Sequence, residues 1–483
     1  MKDSNASDEL VISYLFPPSK DVAGMVLAKR YMLSEKRFDV IQADVKKNRD
    51  DDFKRCVDEY INDQILIDIN CNSSFPDCIF EFIDKSMAEL DARKTYKRIS
   101  TRVWKLANNF LALEYKLKHP EVYWTAEFSD PLLYDIYNNR RDEDKKKDIH
   151  NQEYIDKLNS AIDKFNKTNA TDFKLLDTPS NVHFLVEYIA YIFADKIIFT
   201  NENQREIMLD QFPLDVKDFV IQKSEIKPQP VLPEKYYHVK ECDVDLDSNK
   251  INIGYFGNIY SKRHFEMVFY AFETLNHKFK DRLKFHFYIN DDDLFKQLTA
   301  NLEILDNIQI NETIDYLYFL NTTTKLDVLI INDLITEDCF DINPYRPSKL
   351  SDYQGSGSDI WAICEKGSIL ENTDVKYKSY IDEFESNTDV LVSILADYGY
   401  GDDDFTTSDS EKYFLKRLTD LNVILDNSYK KSKNTDSKMR KLKRQNSKLK
   451  KEISKPNDKK EEPPSSKGLK ITEKFRRAVK KNK

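Results

Sequence analysis

The stretch Asn343–Ile363, which reads NPYRPSKLSDYQGSGSDIWAI, says more about the fold class than any other part of the sequence. It predicts a loop, a short helix over Ser348–Tyr353, a Gly-Ser-Gly turn and an apolar strand over Ile360–Cys364. A carboxylate on such a helix can accept hydrogen bonds from both hydroxyl groups of a ribose, and cations and amides near its start can hold phosphate oxygens. The residues that fit this chemistry are Arg346, Ser348, Lys349 and Asp352.

Strand-like and helix-like segments alternate on both sides of this stretch. In the second half of the chain the predicted strands are Ile251–Phe256, Lys284–Ile289, Ile308–Ile310, Leu326–Ile331 and Ile360–Cys364, and the predicted helices are His264–Phe279, Asp293–Leu302, Ile314–Leu320 and Ser348–Tyr353. In the first half the predicted strands are Leu10–Phe16, Phe38–Ala43, Ile65–Ile69, Val122–Ala126 and Lys196–Thr200, and the predicted helices are Val22–Met32, Asp77–Leu90, Ile99–Leu117 and Val182–Phe193. Strands separated by helices of this length form βαβ units and a mainly parallel sheet. The sequence therefore predicts an α/β protein with two Rossmann-like domains that face each other across a cleft.

The predicted domain boundaries follow from changes in composition. A stretch with three prolines and no clear period separates the two alternating sets, and the polar segment Asn138–Asp177 is expected to be an insertion or a helical excursion. Helical patterns over Tyr377–Ala396 and Glu411–Tyr429 close the second set. The predicted divisions are a first domain at 1–223, a linker at 224–250, a second domain at 251–429 and a basic tail, disordered or helical, at 430–483.

The net charge of −9 is unevenly distributed along the 483 residues. Residues 430–483 hold 22 Lys and Arg against 6 Asp and Glu, a surplus of 16 positive charges, so the rest of the chain carries −25. An acidic body argues against nucleic acid as a partner, whereas a basic tail can bind an anionic membrane surface. The tail segment GLKITEKFRRAVKKNK places apolar side chains along one helix face, which is typical of an interfacial helix; a solvated basic tail is the alternative.

Other features of the sequence predict a cytoplasmic protein, peripheral at the inner face of the plasma membrane. The N-terminus reads MKDSNASDELV and lacks the basic and apolar regions of a signal peptide. The most apolar long stretch, His183–Thr200, is interrupted by Glu187, Asp195 and Lys196, so no membrane span is expected. The six cysteines form no CxxC pair and have no metal-ligand spacing, so we expect reduced thiols and no bound metal.

Glycine marks places where the backbone turns tightly or approaches a ligand. The chain contains nine glycines, and six of them fall in three short stretches: Gly24, then Gly254 and Gly257, then Gly355, Gly357 and Gly367. Glycine at the carboxyl end of a parallel strand lets a ligand approach backbone N–H groups, and the start of the next helix favours a phosphate. Lys262 and Arg263 follow Gly257 and form a candidate diphosphate clamp, with an ordinary solvated helix start as the alternative.

Five blocks of the sequence resemble one enzyme family. The stretch Asn343–Ile363 resembles the donor-site signature of retaining GT-B glycosyltransferases of the family-4 type, and GYFGNIYSKRH resembles the opening strand and phosphate-binding turn of their donor domain. The blocks ISYLFPPSKDVAG, YWTAEFSDPL and ADKIIFTNENQ are similar to acceptor-domain segments of bacterial polysaccharide and wall-polymer glycosyltransferases. The resemblance covers about residues 10–365 and implies the GT-B fold.

The resemblance also assigns expected roles to individual residues. Lys262 falls at the family's phosphate-binding lysine, Asn258 falls where many members have an arginine, and Asp352 replaces the usual ribose-binding glutamate. The first acid of the family's E-x7-E pattern is replaced by Pro344, so backbone amides near Asn343–Tyr345 are expected to contact the sugar instead. The donor-binding residues expected on these grounds are Gly24, Gly257, Asn258, Lys262, Arg346, Ser348, Lys349 and Asp352.

The activity that the resemblance implies is metal-independent, retaining transfer of a hexose-like sugar without a cofactor. The donor would be a nucleoside diphosphate sugar, and the acceptor a hydroxyl of a cell-surface glycan, a teichoic-acid-like polymer or a lipid-linked molecule. The expected catalytic residues are Lys262 and Arg263, which would stabilise the leaving diphosphate, and Asp130, which would orient the acceptor. A helix cap before Pro131 is the alternative role for Asp130.

Two further readings stay open. One is a non-catalytic GT-B-like scaffold subunit that is tethered by its basic tail; the changes at Pro344 and Asn258 favour it. The other is a sugar epimerase of the same fold. Binding of nucleotide sugars without hydrolysis or transfer would favour the scaffold.

Overall fold

The computed structural model describes residues 7–257, 265–289, 295, 302–400 and 405. The strands of the first half are β1 (Glu9–Ile12), β2 (Phe38–Ala43), β3 (Ile61–Ile67), β4 (Arg98–Val103), β5 (Tyr123–Phe128), β6 (Asp148–Ile149), β7 (Ser180–Asn181), β8 (Lys196–Phe199) and β9 (Ser224–Ile226). Seven of them form one sheet in the order β3-β2-β1-β4-β5-β8-β9, in which every pair is parallel. Strands β6 and β7 form a separate antiparallel pair.

Helices cover both faces of this first sheet. They are α1 (Val22–Ser34), α2 (Asp51–Asp58), α3 (Pro76–Asp91), α4 (Ala107–Lys118), α5 (Gln152–Asn169), α6 (Val182–Phe193), α7 (Glu202–Leu209) and α8 (Leu214–Lys223). Leu10 and Ile12 of β1 pack with α3, α4 and α6, whereas Val11 between them packs with α1 and α2. Since both faces are covered, β2 is apolar and buried along most of its length instead of alternating with polar residues.

The second half of the chain forms a second parallel sheet. Its strands are β10 (Ile251–Phe256), β11 (Leu283–Tyr288), β12 (Ile308–Asn311), β13 (Val328–Asn332), β14 (Asp359–Cys364) and β15 (Tyr377–Tyr380), in the order β12-β11-β10-β13-β14-β15. Its helices are α9 (Glu266–Glu273), α10 (His277–Lys280), α11 (Tyr316–Thr323), α12 (Leu350–Gln354) and α13 (Phe384–Asp397). In each sheet the first strand of the chain, β1 or β10, lies in the interior. The next two strands extend the sheet to one edge, and the later strands extend it to the other edge, which is the Rossmann-like order. The predicted fold class, two Rossmann-like domains facing across a cleft, is confirmed.

A shared apolar cluster holds the two domains together. It contains residues of the first sheet such as Val11, residues of the second such as Phe256, and Tyr236 and Tyr237 from the segment between them. The Tyr237 hydroxyl donates to the Asp352 backbone carbonyl at 2.7 Å, and the Tyr236 hydroxyl lies 3.1 Å from that of Tyr60. An apolar interdomain core of this kind fixes the relative position of the two domains.

The predicted bounds of several strands and helices are correct, but a few predicted elements are wrong. The residues Ile99–Leu117, predicted as one helix, form β4 and then α4, because Ile99, Thr101 and Val103 are buried strand residues with branched β-carbons. Likewise Tyr377–Ala396 divides into β15 and α13. The predicted linker begins with β9, which pairs with β8 and belongs to the first sheet.

The expectation of six reduced thiols was also wrong. Cys71 and Cys78 form a disulfide that joins the segment after β3 to α3. The Tyr14 hydroxyl, which follows β1, donates to the Cys71 backbone carbonyl at 2.7 Å. The disulfide thus packs against the residues that lead from β1 into the cleft.

Other expectations fall on residues outside those described. They are the predicted helices Asp293–Leu302, of which only Leu302 and Phe295 are described, and Glu411–Tyr429, together with the tail at 430–483. Among the described residues, every helix is too short or too polar to cross a bilayer.

Candidate functional site

Two adjoining cavities lie between the domains, at the carboxyl ends of both sheets. Lys20 follows β1, Gly257 follows β10 and Asp333 follows β13, and all three line the cavities. Strands β1 and β10 are the points from which each sheet grows in both directions. In open parallel sheets a ligand binds in the crevice outside the carboxyl ends at this reversal of strand order, so the topology alone makes this cleft the candidate site.

The first cavity, about 460 Å³ in volume, has an aromatic wall from the second domain. The rings of Phe256 and Tyr288 stack with centroids 4.4 Å apart, and Phe319 packs edge-on against Phe256 at 4.9 Å. Burial raises the pKa of the Tyr288 hydroxyl to about 12, so it is neutral at physiological pH. An aromatic wall beside the backbone of Gly257 suits a planar heterocycle such as a nucleobase.

Asp352 on α12 lies in this cavity and makes contacts that its sequence position did not predict. Its Oδ1 accepts hydrogen bonds from Lys29 Nζ at 2.8 Å and from the Tyr316 hydroxyl at 2.7 Å. The side chains of Lys29 and Asp352 are only 4% and 8% exposed, so this is a buried ion pair between α1 of the first domain and α12 of the second. Asp352 Oδ2 has no hydrogen-bond partner among the described residues and is the oxygen left for a ligand.

Sequence reasoning missed Lys29. The signal was a lysine within the apolar helix VAGMVLAKRYM, where a charge needs either solvent or a partner. Its partner lies 323 residues further along the chain.

The second cavity, about 420 Å³ in volume, continues from the first. Lys20, Val22 and Ser348 line both cavities, so the two adjoin at these residues and form one continuous site. The Lys20 ammonium pairs with Asp315 of the second domain, with both side chains substantially exposed. A surface pair of this kind is weak and can be exchanged for an anionic ligand.

Arg102, Asp130 and Arg141 of the first domain line the second cavity, and Glu127 lies behind Arg102. Glu127, which is buried, accepts hydrogen bonds from Arg30 Nε at 2.8 Å and from Arg102. Burial alone would raise the pKa of the Glu127 carboxyl, but the Arg102 and Arg30 guanidinium groups hold it below its usual value. Burial also raises the pKa of the Asp130 carboxyl, and the nearby Arg102 and Arg141 only partly offset this effect. These residues therefore place cations beside a carboxyl whose pKa is raised by burial.

A buried acid fixes the loop that carries Asp130. Glu187 on α6 accepts hydrogen bonds from the backbone N–H groups of Leu132 and Leu133 at 2.9 and 3.0 Å. Burial raises the pKa of the Glu187 carboxyl to about 7, despite these hydrogen bonds. In the sequence Glu187 stood out only as a charge within an apolar stretch, because the loop that it holds is more than fifty residues away.

Side chains from the first domain hold the loop that precedes α12. Asn201 Nδ2 donates to the Pro344 carbonyl at 3.1 Å, and Asn203 Nδ2 donates to the Asn343 carbonyl at 2.9 Å. The Tyr345 amide, one of those expected to contact a sugar, donates instead to the Asn343 side chain at 2.9 Å. This loop places Arg346 in the wall of the second cavity.

The structure brings together most of the residues that the sequence singled out. Gly257, Ser348, Lys349 and Asp352 line the first cavity, and Asp130, Arg346 and Ser348 line the second. Gly24 lies outside both walls, where its N–H donates to Asp21 at 3.0 Å and a Cβ would lie 2.2 Å from the Leu15 carbonyl oxygen. The missing side chain lets α1 pack closely on the loop after β1, and donor contact at Gly24 stays a prediction. Asn258, Lys262 and Arg263 lie outside the described residues.

Comparisons with known proteins find similarity in solved structures alone. No family model matches the sequence, and no curated protein sequence matches it. Anabaena HepE in complex with UDP-glucose superposes with a TM-score of 0.49 at 10% identity, over 81% of this chain and 90% of that one. The lipopolysaccharide outer core galactosyltransferase WaaB gives 0.46 at 10% identity, over 81% and 90%.

UDP-GlcNAc 2-epimerase from Neisseria meningitidis, bound to UDP-GlcNAc, gives a TM-score of 0.44 at 9% identity, over 85% and 99% of the two chains. At TM-scores below 0.5 these likenesses carry no weight for the function of this chain.

Proposed function

We propose that this protein is a glycosyltransferase whose donor, a nucleoside diphosphate sugar, lies along the two joined cavities. One observation carries the proposal: an aromatic cavity and a charged cavity meet at Lys20 and Ser348, between two Rossmann-like domains. A nucleoside diphosphate sugar has the same order of parts, with a flat base at one end, a charged linker in the middle and a polar ring at the other end.

The donor can be placed part by part. Its base would lie against Tyr288 and Phe319, and its ribose would reach Asp352 Oδ2. Its diphosphate would lie where the cavities meet, near Lys20 and Ser348, with Lys262 and Arg263 expected from the sequence to complete the cationic clamp. The sugar would then occupy the second cavity, which is lined by Arg346.

The proposed chemistry uses these groups electrostatically. As the bond between the anomeric carbon and the diphosphate breaks, negative charge builds on the leaving oxygen, and cations already in place stabilise it without reorganisation. The acceptor hydroxyl would approach from the first domain beside Asp130, which orients it. Retention of configuration and independence of metal are further parts of the proposal, and they come from the family resemblance.

The acceptor that we propose is a hydroxyl of a cell-surface glycan, a teichoic-acid-like polymer or a lipid-linked molecule. The basic residues of 430–483 would hold the enzyme at the anionic inner face of the plasma membrane, where such acceptors are made.

The buried ion pair between Lys29 and Asp352 favours a second candidate, a non-catalytic scaffold. The acid that would bind the ribose already accepts hydrogen bonds from a lysine and a tyrosine of the protein. In a scaffold this pair would be a permanent bridge between the domains. In an enzyme it would leave Oδ2 to the donor.

A binding and turnover experiment separates the two candidates. The full chain is screened by thermal shift against UDP-, GDP- and CDP-sugars, since a specific ligand raises the melting temperature by mass action. Hydrolysis and transfer of the selected donor are then followed by NMR. The proposal requires a specific shift and release of nucleoside diphosphate, whereas a shift without turnover on any acceptor supports the scaffold, and no shift refutes the donor site.

Matched variants locate the binding. Lys20→Ala and Lys262→Ala are each expected to weaken the binding of the donor about tenfold, because each removes one charge-assisted contact. Lys46→Ala is the control, because Lys46 is an exposed lysine whose ion pair among the described residues is with Asp44, and it lines neither cavity. Equal affinities in all three variants would refute the assigned diphosphate position.

A further inference from the structure

We propose that the second cavity selects a sugar carrying an acidic group, a carboxylate or a phosphate ester, which binds at Arg141 and Arg346. The inference rests on the proposed function, because that function makes this cavity the sugar end of the site. It goes beyond that function by naming the chemical class of the sugar.

Arg346 has a neutral partner where a buried guanidinium usually has a carboxylate. Its Nη1 donates to the Gln229 side-chain oxygen at 2.7 Å, and no carboxylate oxygen of the described residues lies within ion-pair distance. Burial lowers the pKa of Arg346 to about 10, which still leaves it cationic at neutral pH. A desolvated cation without a counter-charge is costly unless a ligand supplies the charge.

Arg141 also lines this cavity, and its hydrogen-bond partners are neutral as well. Its Nη1 donates to the carbonyls of Pro131 and Leu132, both at 3.1 Å, and its guanidinium lies 5.6 Å from the centroid of the Trp104 ring. These partners are also neutral, and the described residues offer Arg141 no ion pair. Trp104 is 42% exposed and lines the same cavity, so part of its indole is open to the apolar face of a sugar ring.

None of the carboxyl groups that line the cavity pairs with Arg141 or Arg346 among the described residues. Asp21 caps α1 through the Gly24 amide, and Asp333 accepts from the Glu365 amide at 3.0 Å and from the Ser368 hydroxyl. The pKa of Asp130 is raised by burial. The cavity therefore has two arginines that have no carboxylate of the described residues at hydrogen-bond distance. Such guanidinium groups can make bidentate contacts with a carboxylate or phosphate.

The diphosphate of the donor is the main rival for these arginines. Arg346 and Arg141 line the second cavity alone, whereas the diphosphate is expected where the two cavities meet. This alternative can be tested directly. If the arginines bind the diphosphate, replacing them should weaken the binding of free nucleoside diphosphate. If they bind the sugar, that affinity should not change.

The test compares matched neutral and acidic probes by calorimetry on the full chain. The donor pair is UDP-glucose and UDP-glucuronate, or GDP-mannose and GDP-mannuronate if the thermal-shift screen selects guanosine. The acceptor pair is glucose and glucose 6-phosphate in the presence of the same nucleoside diphosphate. We expect at least one acidic probe to bind about tenfold more tightly than its neutral partner, and the donor and acceptor arms show which molecule carries the acid.

Three variants assign the preference to the two arginines. Arg346→Gln and Arg141→Lys should each reduce the acidic preference to less than about threefold, while affinity for free nucleoside diphosphate stays the same. Arg140→Gln is the control, because Arg140 pairs with Asp142 and lines neither cavity. Equal affinity of acidic and neutral probes in the wild type overturns the inference, and so does an Arg346→Gln variant that weakens free nucleoside diphosphate as strongly as the acidic sugar.

A further arm separates this inference from the proposed function. Free glucuronate, glucose 6-phosphate and glucose are titrated by NMR without nucleotide. If no nucleotide binds but the acidic sugars are preferred, the donor proposal fails and the acidic subsite stands. If nucleotides bind and neither arm prefers an acid, the donor proposal stands and the subsite is refuted.

Discussion

Replacing Lys29 by methionine tests the central contact of the cleft. Methionine keeps most of the apolar volume of the side chain but removes the ammonium that donates to Asp352 at 2.8 Å. The carboxylate would then be a buried charge with the Tyr316 hydroxyl as its remaining described donor. Breaking one side of a buried ion pair costs about 3–5 kcal/mol of unfolding free energy.

The expected loss of unfolding free energy in Lys29→Met depends on burial of the ion pair, so an exposed ion pair serves as the reference. Lys46 pairs with Asp44, and the Lys46 side chain is 75% exposed. Lys46→Met is expected to cost less than about 1 kcal/mol, because solvent already screens that pair. The difference between the two variants therefore measures desolvation, not the mere count of ion pairs.

The assay is guanidinium unfolding followed by tryptophan fluorescence at constant protein concentration, using the three tryptophans of the chain. The double variant Lys29→Met with Asp352→Leu should recover most of the loss, because it removes both buried charges. A loss for Lys29→Met no larger than that for Lys46→Met would refute the buried bridge. It would also remove the observation that favours the scaffold.

Three further predictions concern other parts of the molecule. Burial raises the pKa of the Glu187 carboxyl to about 7 from 4.5 in the unfolded chain, so between these values the native state binds more protons than the unfolded state. The free energy of unfolding should therefore fall by up to about 3 kcal/mol as the pH rises from 4.5 to 7. Glu187→Gln should flatten this slope in urea titrations, and an unchanged slope would contradict the assignment. Gly24→Ala should lower the melting temperature by several degrees, because the added Cβ would lie 2.2 Å from the Leu15 carbonyl oxygen. Gly357→Ala should have a smaller effect, because no described atom lies within 4 Å of the added Cβ and the unfavourable feature is the positive φ of +83°. Deletion of residues 430–483 should release the protein from anionic vesicles in sedimentation while a soluble acceptor is still used, and equal vesicle binding by the truncated chain would rule out the tether.

Local sequence patterns were enough to predict the strands and helices that are mostly apolar and buried along their whole length. Strands β2 and β10 and helix α6 begin and end at the predicted residues, because each is an apolar run bounded by polar or turn residues. The pattern failed at β4, where strand and helix follow each other within one apolar stretch and the period changes midway. The order of elements still predicted two parallel sheets, and hence a cleft at the carboxyl ends of the strands.

Local patterns in the sequence predicted the pair of Rossmann-like domains and the segment that carries Arg346, Ser348 and Asp352 to their cleft. The partners of individual groups follow from tertiary contacts: Lys29 pairs with Asp352 in the cleft, Glu187 accepts from the loop after Asp130, and Cys71 bonds to Cys78. Hydrophobic periodicity is a property of neighbouring residues, so it can be recognised in the sequence. Burial and counter-charge, by contrast, are set by residues that meet only when the chain folds. The cavities that join at Lys20 and Ser348 arise where the two domains pack.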